Sequence, residues 1–211
     1  MTVMKIRIAF IVPVLTAIII ISGCTPKARY ERRLKQELAS GVRNDSIFMG
    51  LYLGMSQRDF FTRCWNLHDQ GLFHQNTSNT AVEYRIKGDL KYPATMFFYP
   101  NFSDGKISEM PVFFKYDGWA PWNKKLSADS LQLAVLKYYK KQYGEDFMTI
   151  RHQEYGNAYV KIDGNRRITI YKKDELYVRV LFTDLLAKID TAASSKPIRV
   201  ILDTTKTIEK K

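Results

Sequence analysis

The sequence has few of the residues from which catalytic and metal sites are usually built. It contains two cysteines and three histidines among 211 residues, whereas a zinc site needs about three or four such ligands. His68, His74 and His152 show no His-Glu-x-x-His spacing. Glycine-rich phosphate loops and carboxylate pairs spaced for glycoside hydrolysis are also lacking. The sequence therefore predicts no metal, no cofactor and no catalytic residues, and hence a protein that is not an enzyme.

Long hydrophobic runs are equally scarce, with one near the N-terminus. Ile8 to Ile21 is apolar apart from a threonine and a proline, and it follows the basic residues Lys5 and Arg7. A membrane-spanning helix needs about 20 apolar residues, and this run is shorter. Positive charge, an apolar core and then small residues is the order of a secretory signal, so residues 1–23 are predicted to be a signal peptide.

The end of this run, Ile21-Ser22-Gly23-Cys24, resembles the lipobox of bacterial lipoproteins. The resemblance implies cleavage between Gly23 and Cys24 and attachment of fatty acids such as palmitate to Cys24. Two or more acyl chains anchor a protein firmly to a membrane. Thr25 rather than Asp follows the cysteine, which in that family favours the outer membrane, here on its periplasmic side. The alternative is an ordinary signal peptide with an incidental cysteine.

The remaining 188 residues have the composition of a globular protein. Hydrophobic residues make up 45% and aromatic residues 13% of the sequence, enough to form a core. The net charge of +12 falls to +10 when the two basic residues of the signal are removed, and export argues against nucleic acid as the partner. With Cys24 lipidated, Cys64 has no partner for a disulfide.

Residues 24–45 are predicted to be a lipidated basic stalk. Tyr30, Leu34 and Leu38 recur at helical spacing over residues 27–40, and so narrow a stripe predicts a tether that touches the domain or the membrane lightly. Basic residues beside an anchor are attracted to anionic headgroups. The alternative is a helix whose charges simply face water.

Residues 46–186 are predicted to form an α+β domain made of two helix-plus-antiparallel-sheet units, at about 46–122 and 123–186. Each unit begins with a serine N-cap and a helix that ends at glycine, and strands follow. The serines, Ser56 and Ser127, are 71 residues apart, and the glycines, Gly71 and Gly144, are 73 apart. This spacing predicts a degenerate tandem repeat.

The predicted elements have these bounds. The first helix spans residues 57–70, and the strands after it span 80–87, 92–99 and 106–116, with Pro111 indicating an edge or a bulge. The second helix spans 128–143, and its strands span 157–162, 166–171 and 175–182. By period two, one face of this second meander should hold Val160, Ile162, Ile168, Ile170, Val178, Val180 and Phe182. Residues 187–211 are polar and predicted to be mostly disordered.

A weaker resemblance concerns Leu53-Gly54-Met55-Ser56 and the helix and strands that follow. This opening is similar to that of small outer-membrane assembly lipoproteins and β-lactamase-inhibitor-like domains. The resemblance implies a binding or scaffolding role, by analogy of fold alone.

Aromatic residues crowd into residues 92–122. Adjacent pairs such as Phe97-Phe98 and Phe113-Phe114 must point to opposite faces of a strand, so one of each pair leaves a single core. Either another part of the chain covers these rings, or a surface that includes Trp119, Trp122 and Tyr116 contacts a partner.

Three functions follow from the sequence. The first is a lipid-anchored, non-catalytic envelope protein that binds or scaffolds an envelope protein partner. The second is a glycan or small-ligand binding module that uses exposed aromatics. The third is a hydrolase of unrecognised type built on His68 or His74 and a distant carboxylate. Cys64 lies on the apolar helix face beside Phe60 and Leu67 and is predicted to be a core residue rather than a nucleophile.

Overall fold

The computed structural model describes residues 25–76, 80–86, 88–152 and 155–187. The signal segment, Cys24 and the predicted tail from residue 188 onward lie outside these residues. The helices are α1 (Pro26–Ala39), α2 (Gln57–Asp69) and α3 (Ala128–Tyr143), with a 3-10 turn at Lys124–Leu126. The strands are β1 (Phe73–Gln75), β2 (Val82–Ile86), β3 (Ala94–Phe98), β4 (Asn101–Ser103), β5 (Lys106–Tyr116), β6 (Met148–His152), β7 (Gly156–Asp163), β8 (Arg166–Lys172) and β9 (Val178–Asp184).

All nine strands belong to one antiparallel sheet. Its order is β1-β2-β3-β5-β9-β8-β7-β6, with the short β4 paired to β5. The two groups of strands predicted from the sequence therefore join, because β5 pairs with β9 from Glu109↔Thr183 to Phe114↔Val178. The protein is an α+β fold in which sheet predominates.

Local capping explains where α2 and α3 begin and end. The Ser56 Oγ accepts a hydrogen bond from the Asp59 amide at 3.1 Å, and the Ser127 Oγ accepts one from the Ser130 amide at 3.4 Å. Each bond satisfies an amide in the first turn that has no partner within the helix. Gly71 and Gly144, just beyond the two helices, have φ values of +68° and +90°. The two predicted helices are confirmed.

Helices α2 and α3 cover one face of the sheet, here called the main face. Their buried side chains join those of the strands in a single cluster, which hides apolar surface that neither layer could bury alone. Members that are 0% exposed come from both helices and from the central strands. They are Phe60, Leu131, Val135, Met110, Val112, Phe114, Ile168, Ile170, Val178, Val180 and Phe182.

Helix α1 covers part of the opposite face, here called the second face. Tyr30 is 2% exposed and packs with Val160 and Ile162 of β7, and the Tyr30 hydroxyl accepts a hydrogen bond from the Arg167 guanidinium at 3.0 Å. A Glu37 carboxylate oxygen accepts a hydrogen bond from the Gly164 amide at 2.8 Å. The structure thus differs from the predicted light tether, because even a narrow apolar stripe is wide enough to cover two strands.

One expectation from periodicity is also corrected. Val160 and Ile162 are in register with Thr169 and Arg167, so they lie on the second face rather than with Ile168 and the other main-face residues. On the main face β7 instead places Tyr159, Lys161 and Asp163. The apolar residues Val160 and Ile162 face α1, and period two alone does not tell which face of the sheet an apolar set occupies.

Pro111 does not mark an edge strand, since β5 lies in the middle of the sheet. It is in register with Leu181 of β9. On the other side, β3 pairs with residues 112–116 and β4 with residues 106–109, so neither strand has a residue opposite Pro111. The break between β3 and β4 makes a residue without an amide hydrogen acceptable here.

Candidate functional site

The most exposed aromatic side chains that lie together form a groove between α2 and the β1–β2 edge of the sheet, here called the aromatic groove. It has a volume of about 600 Å³. Trp65 is 67% exposed, Phe61 is 48% exposed and Tyr99 is 41% exposed, and all three line it. Large exposed apolar patches on a soluble domain usually mark a binding surface.

The position of these rings follows from the helical repeat of α2. Phe60 and Leu67 face the main core, at 0% and 4% exposure. Phe61 and Trp65 are four residues apart and therefore form one ridge beside the core-facing stripe. Tyr99 reaches the groove from the end of β3, where its ring lies 5.9 Å from that of Phe60 in an edge-to-face contact. The groove is thus supported by the core beneath it.

Two histidines and one cysteine are among the titratable side chains in the groove. The His68 Nδ1 lies 2.9 Å from the Phe73 carbonyl oxygen, which can only accept, so Nδ1 carries the proton in this contact. The rings of His68 and His74 are 6.3 Å apart. Burial raises the pKa of the Cys64 thiol to about 12, so Cys64 is a neutral thiol at physiological pH and a poor nucleophile.

A metal site is not formed by the described part of the chain. No group of three or more His, Cys, Asp or Glu side chains there lies close enough to hold an ion. The side chain of His152, the third histidine of the sequence, is outside what the structure describes. The groove itself is an apolar surface lined by aromatic rings with a few polar groups. Such an arrangement is suited to binding.

The surface predicted around Trp119, Trp122 and Tyr116 is only partly present. Trp122 is 85% exposed, and Trp119 is half-buried, with its indole N–H donating to the Glu175 carbonyl oxygen at 3.0 Å. Tyr116 is 2% exposed because its position in β5 directs it to the main face, as it does Phe114. The expectation that Tyr116 lies on this surface is corrected.

A second group of aromatics lies on the second face, beyond the part that α1 covers. Phe97 and Phe113 each pack edge-to-face with Tyr177, at 6.5 and 6.3 Å between ring centroids. Their neighbours Phe98 and Phe114 are in the main core, so the expected division of each pair between the two faces is confirmed. Cationic groups lie over these rings, with Lys173 5.1 Å and Arg179 5.5 Å from the Phe113 centroid.

The residues named for membrane attachment, Gly23 and Cys24, lie outside the described part of the chain. Among the helices that the structure does describe, none is both long enough and apolar enough to cross a membrane.

Comparisons of the chain with models of protein families, with curated proteins and with solved structures found no significant match. What is established about the protein is therefore its fold and its surface. It is an α+β chain with one nine-stranded sheet and an exposed aromatic groove at the β1 edge of that sheet.

Sequence reasoning did not identify the aromatic groove. The available signal was the pair Phe61 and Trp65, which are four residues apart and lie off the stripe formed by Phe60 and Leu67. The other wall of the groove depends on β1, a strand of three residues with too little apolar pattern to be predicted.

Proposed function

We propose that this chain is a lipid-anchored protein of the bacterial cell envelope, attached through Cys24 to the periplasmic side of the outer membrane, with a non-catalytic binding or scaffolding role toward an envelope protein. The lipobox-like Ile21-Ser22-Gly23-Cys24 supports the anchor. The observation that carries the binding role is the aromatic groove.

The aromatic groove has the composition of a protein-binding surface. Tryptophan and tyrosine are enriched among the residues that contribute most to binding between proteins, and two such side chains, Trp65 and Tyr99, line the groove. The thiol of Cys64 within it is protonated, since burial raises its pKa. These features favour recognition over chemistry.

A tandem repeat of the two halves is part of the proposal. Each half has a helix followed by consecutive antiparallel strands, α2 with β1–β5 and α3 with β6–β9. The sheet order is the same in each half when read from its outer edge to the centre, if the short β4 is set aside. This order supports a duplicated unit, and it is the arrangement that the serine and glycine spacings predict.

Cross-linked co-purification of the tagged full-length protein from detergent-solubilised envelopes tests the binding role. A Phe61→Ala/Trp65→Ala variant should lose a stoichiometric protein partner that the unchanged protein retains. Leu133→Ala is a matched control, because Leu133 is 58% exposed on the outside of α3. A Trp122→Ala variant tests the surface predicted from the sequence, and loss of the partner there alone would assign binding to that loop instead.

Incorporation of labelled palmitate tests the anchor separately. The unchanged protein should take up the label, and Cys24→Ala should not. Label retained by Cys24→Ala would remove lipidation at this residue from the proposal.

Ligand binding is the second candidate function, favoured by the Phe97, Phe113 and Tyr177 rings with Lys173 and Arg179 beside them. Rings flanked by cations suit a glycan or small ligand that carries negative charge. When the melting temperature is measured with each member of a glycan panel, at least one glycan should raise the melting temperature of the unchanged protein but not that of Phe113→Ala. An unmoved melting temperature across charged and neutral glycans argues for the protein-binding role alone.

A further inference from the structure

Helix α1 places the folded body very close to the proposed lipid. Cys24 directly precedes Thr25, the N-cap of α1, whose Oγ1 accepts a hydrogen bond from the Ala28 amide at 3.2 Å. Tyr30, six residues after Cys24, is already buried against the sheet. At 1.5 Å per helical residue and about 3.3 Å for an extended one, this distance is roughly 10 Å along the chain. No long stalk separates Cys24 from the domain.

The outward side of α1 is basic. Arg29, Arg32 and Lys35 are exposed, and their i, i+3, i+6 spacing sets them within an arc of about 120°. This arc lies opposite the stripe of Tyr30, Leu34 and Leu38 that faces the sheet.

The acidic residues of α1 are directed elsewhere. Glu31 pairs with Lys27 at 3.9 Å. Glu37 pairs with Arg33 at 3.0 Å and also accepts the Gly164 amide hydrogen bond. Neither acidic residue of α1 therefore lies on the outward arc, and the positive charge of the arc is complementary to a surface of anionic lipid headgroups.

We infer that the basic arc of α1 lies on anionic lipid headgroups, with α1 held between the bilayer and the second face of the sheet. The inference rests on the proposed lipidation of Cys24, which brings this helix to the surface. It also gives the domain an orientation, because α2, α3 and the aromatic groove are on the other side of the sheet and then face away from the membrane. A partner bound in the groove would approach from the aqueous side.

The test compares lysine accessibility on vesicles of two compositions. Full-length protein, processed in cells and purified in detergent, is added to preformed vesicles of phosphatidylcholine alone or of phosphatidylcholine with phosphatidylglycerol. A membrane-impermeant acetylating reagent then modifies lysines, and mass spectrometry measures the rate at each site. Lys137 and Lys141, exposed on the outside of α3, are internal references.

Lys35 should react about fivefold more slowly on the anionic vesicles than on the neutral ones, as expected for one basic residue held at a charged surface. The rates at Lys137 and Lys141 should not differ between the two. Salt at about 0.5 M should remove the protection, because it shortens the range of exposed charge interactions. Arg29→Gln/Arg32→Gln should also remove it, whereas Lys124→Gln/Lys125→Gln, with the same change in charge on the exposed 3-10 turn, should not.

The N-terminal peptide in the same experiment distinguishes two failures. If Cys24 carries acyl groups and Lys35 reacts at equal rates on both vesicles, the inference about α1 is overturned while the anchor stands. If the Cys24 peptide carries no acyl group, the proposed anchor is overturned and the inference falls with it.

Discussion

Replacement of Tyr30 tests whether α1 is an integral part of the fold. Tyr30 is 2% exposed, and its hydroxyl accepts a hydrogen bond at 3.0 Å from Arg167, which is 6% exposed. Tyr30→Ala removes a buried ring, a change that typically lowers the free energy of unfolding by about 3–5 kcal/mol. Tyr30→Phe keeps the ring but leaves a buried charged donor without its acceptor, at about 1.5–3 kcal/mol.

Urea denaturation followed by circular dichroism measures these differences. Arg29→Ala is the control, since Arg29 is adjacent in the same helix but exposed, and surface changes usually stay within about 0.5 kcal/mol. In a thermal melt, Tyr30→Ala should lower the midpoint by roughly 6–20 °C, given about 2–4 °C per kcal/mol for chains of this size. Equal stability of Tyr30→Ala and Arg29→Ala would refute the packing of α1 on the sheet. That result would favour instead the predicted tether that touches the domain only lightly.

Three further predictions concern stability. Gly164→Ala should destabilise far more than Gly105→Ala in urea titrations: both glycines have positive φ, but an added Cβ at Gly164 would lie 2.2 Å from the Val42 carbonyl oxygen and one at Gly105 would meet nothing within 4 Å. The free energy of unfolding should fall as the pH rises from about 9 to about 12, because burial raises the pKa of Cys64 from 9.0 to about 12 and the unfolded chain loses that proton first. Cys64→Ala should delay the onset of this fall, and an unchanged profile would contradict the burial of the thiol. Ser56→Ala should cost about 1 kcal/mol through loss of the α2 cap, and a change below about 0.3 kcal/mol would count against that cap.

Elements with local signals were predictable from the sequence. The helix predicted at 128–143 and the strand predicted at 106–116 have the bounds of α3 and β5. Each combines a clear repeat with a defined start: Ser127 caps α3, and the Asp104-Gly105 turn precedes β5. Capping and turn chemistry act within a few residues, so they can be read without the rest of the fold.

What could not be predicted depends on residues distant in sequence. Strands β1 and β6 lie at the two edges of the sheet, and β6 packs against α1 through Met148 and Ile150. The α1 residues that cover the apolar side of β6 are more than 100 positions away, and β6 alone forms too short a local pattern for a strand to be assigned. The pairing of β5 with β9 leaves no local signal for the same reason, so the sequence left open whether the sheets of the two units join, and the structure shows that they do.

The candidate site shows the same limit. Phe61 and Trp65 line a groove because β1 and Tyr99 lie beside α2, and the sequence does not reveal that arrangement. Tyr116 was predicted to lie on a surface because the density of aromatic residues in a segment does not reveal the direction of a side chain. Trp122, in a loop, is exposed, which agrees with one of the two alternatives that the sequence left open for these aromatic residues.

The pairing of β5 with β9 has a consequence for the growing chain. Strand β5 is complete about 60 residues before β9 is synthesised, and until then its residues 109–114 have an unpaired side. An unpaired strand with Val112 and Phe114 on its apolar face is a template for the corresponding strand of another molecule. While the chain folds, therefore, β9 of a neighbouring chain competes with the chain's own β9 for this position, and a swapped dimer is the expected misassembled product.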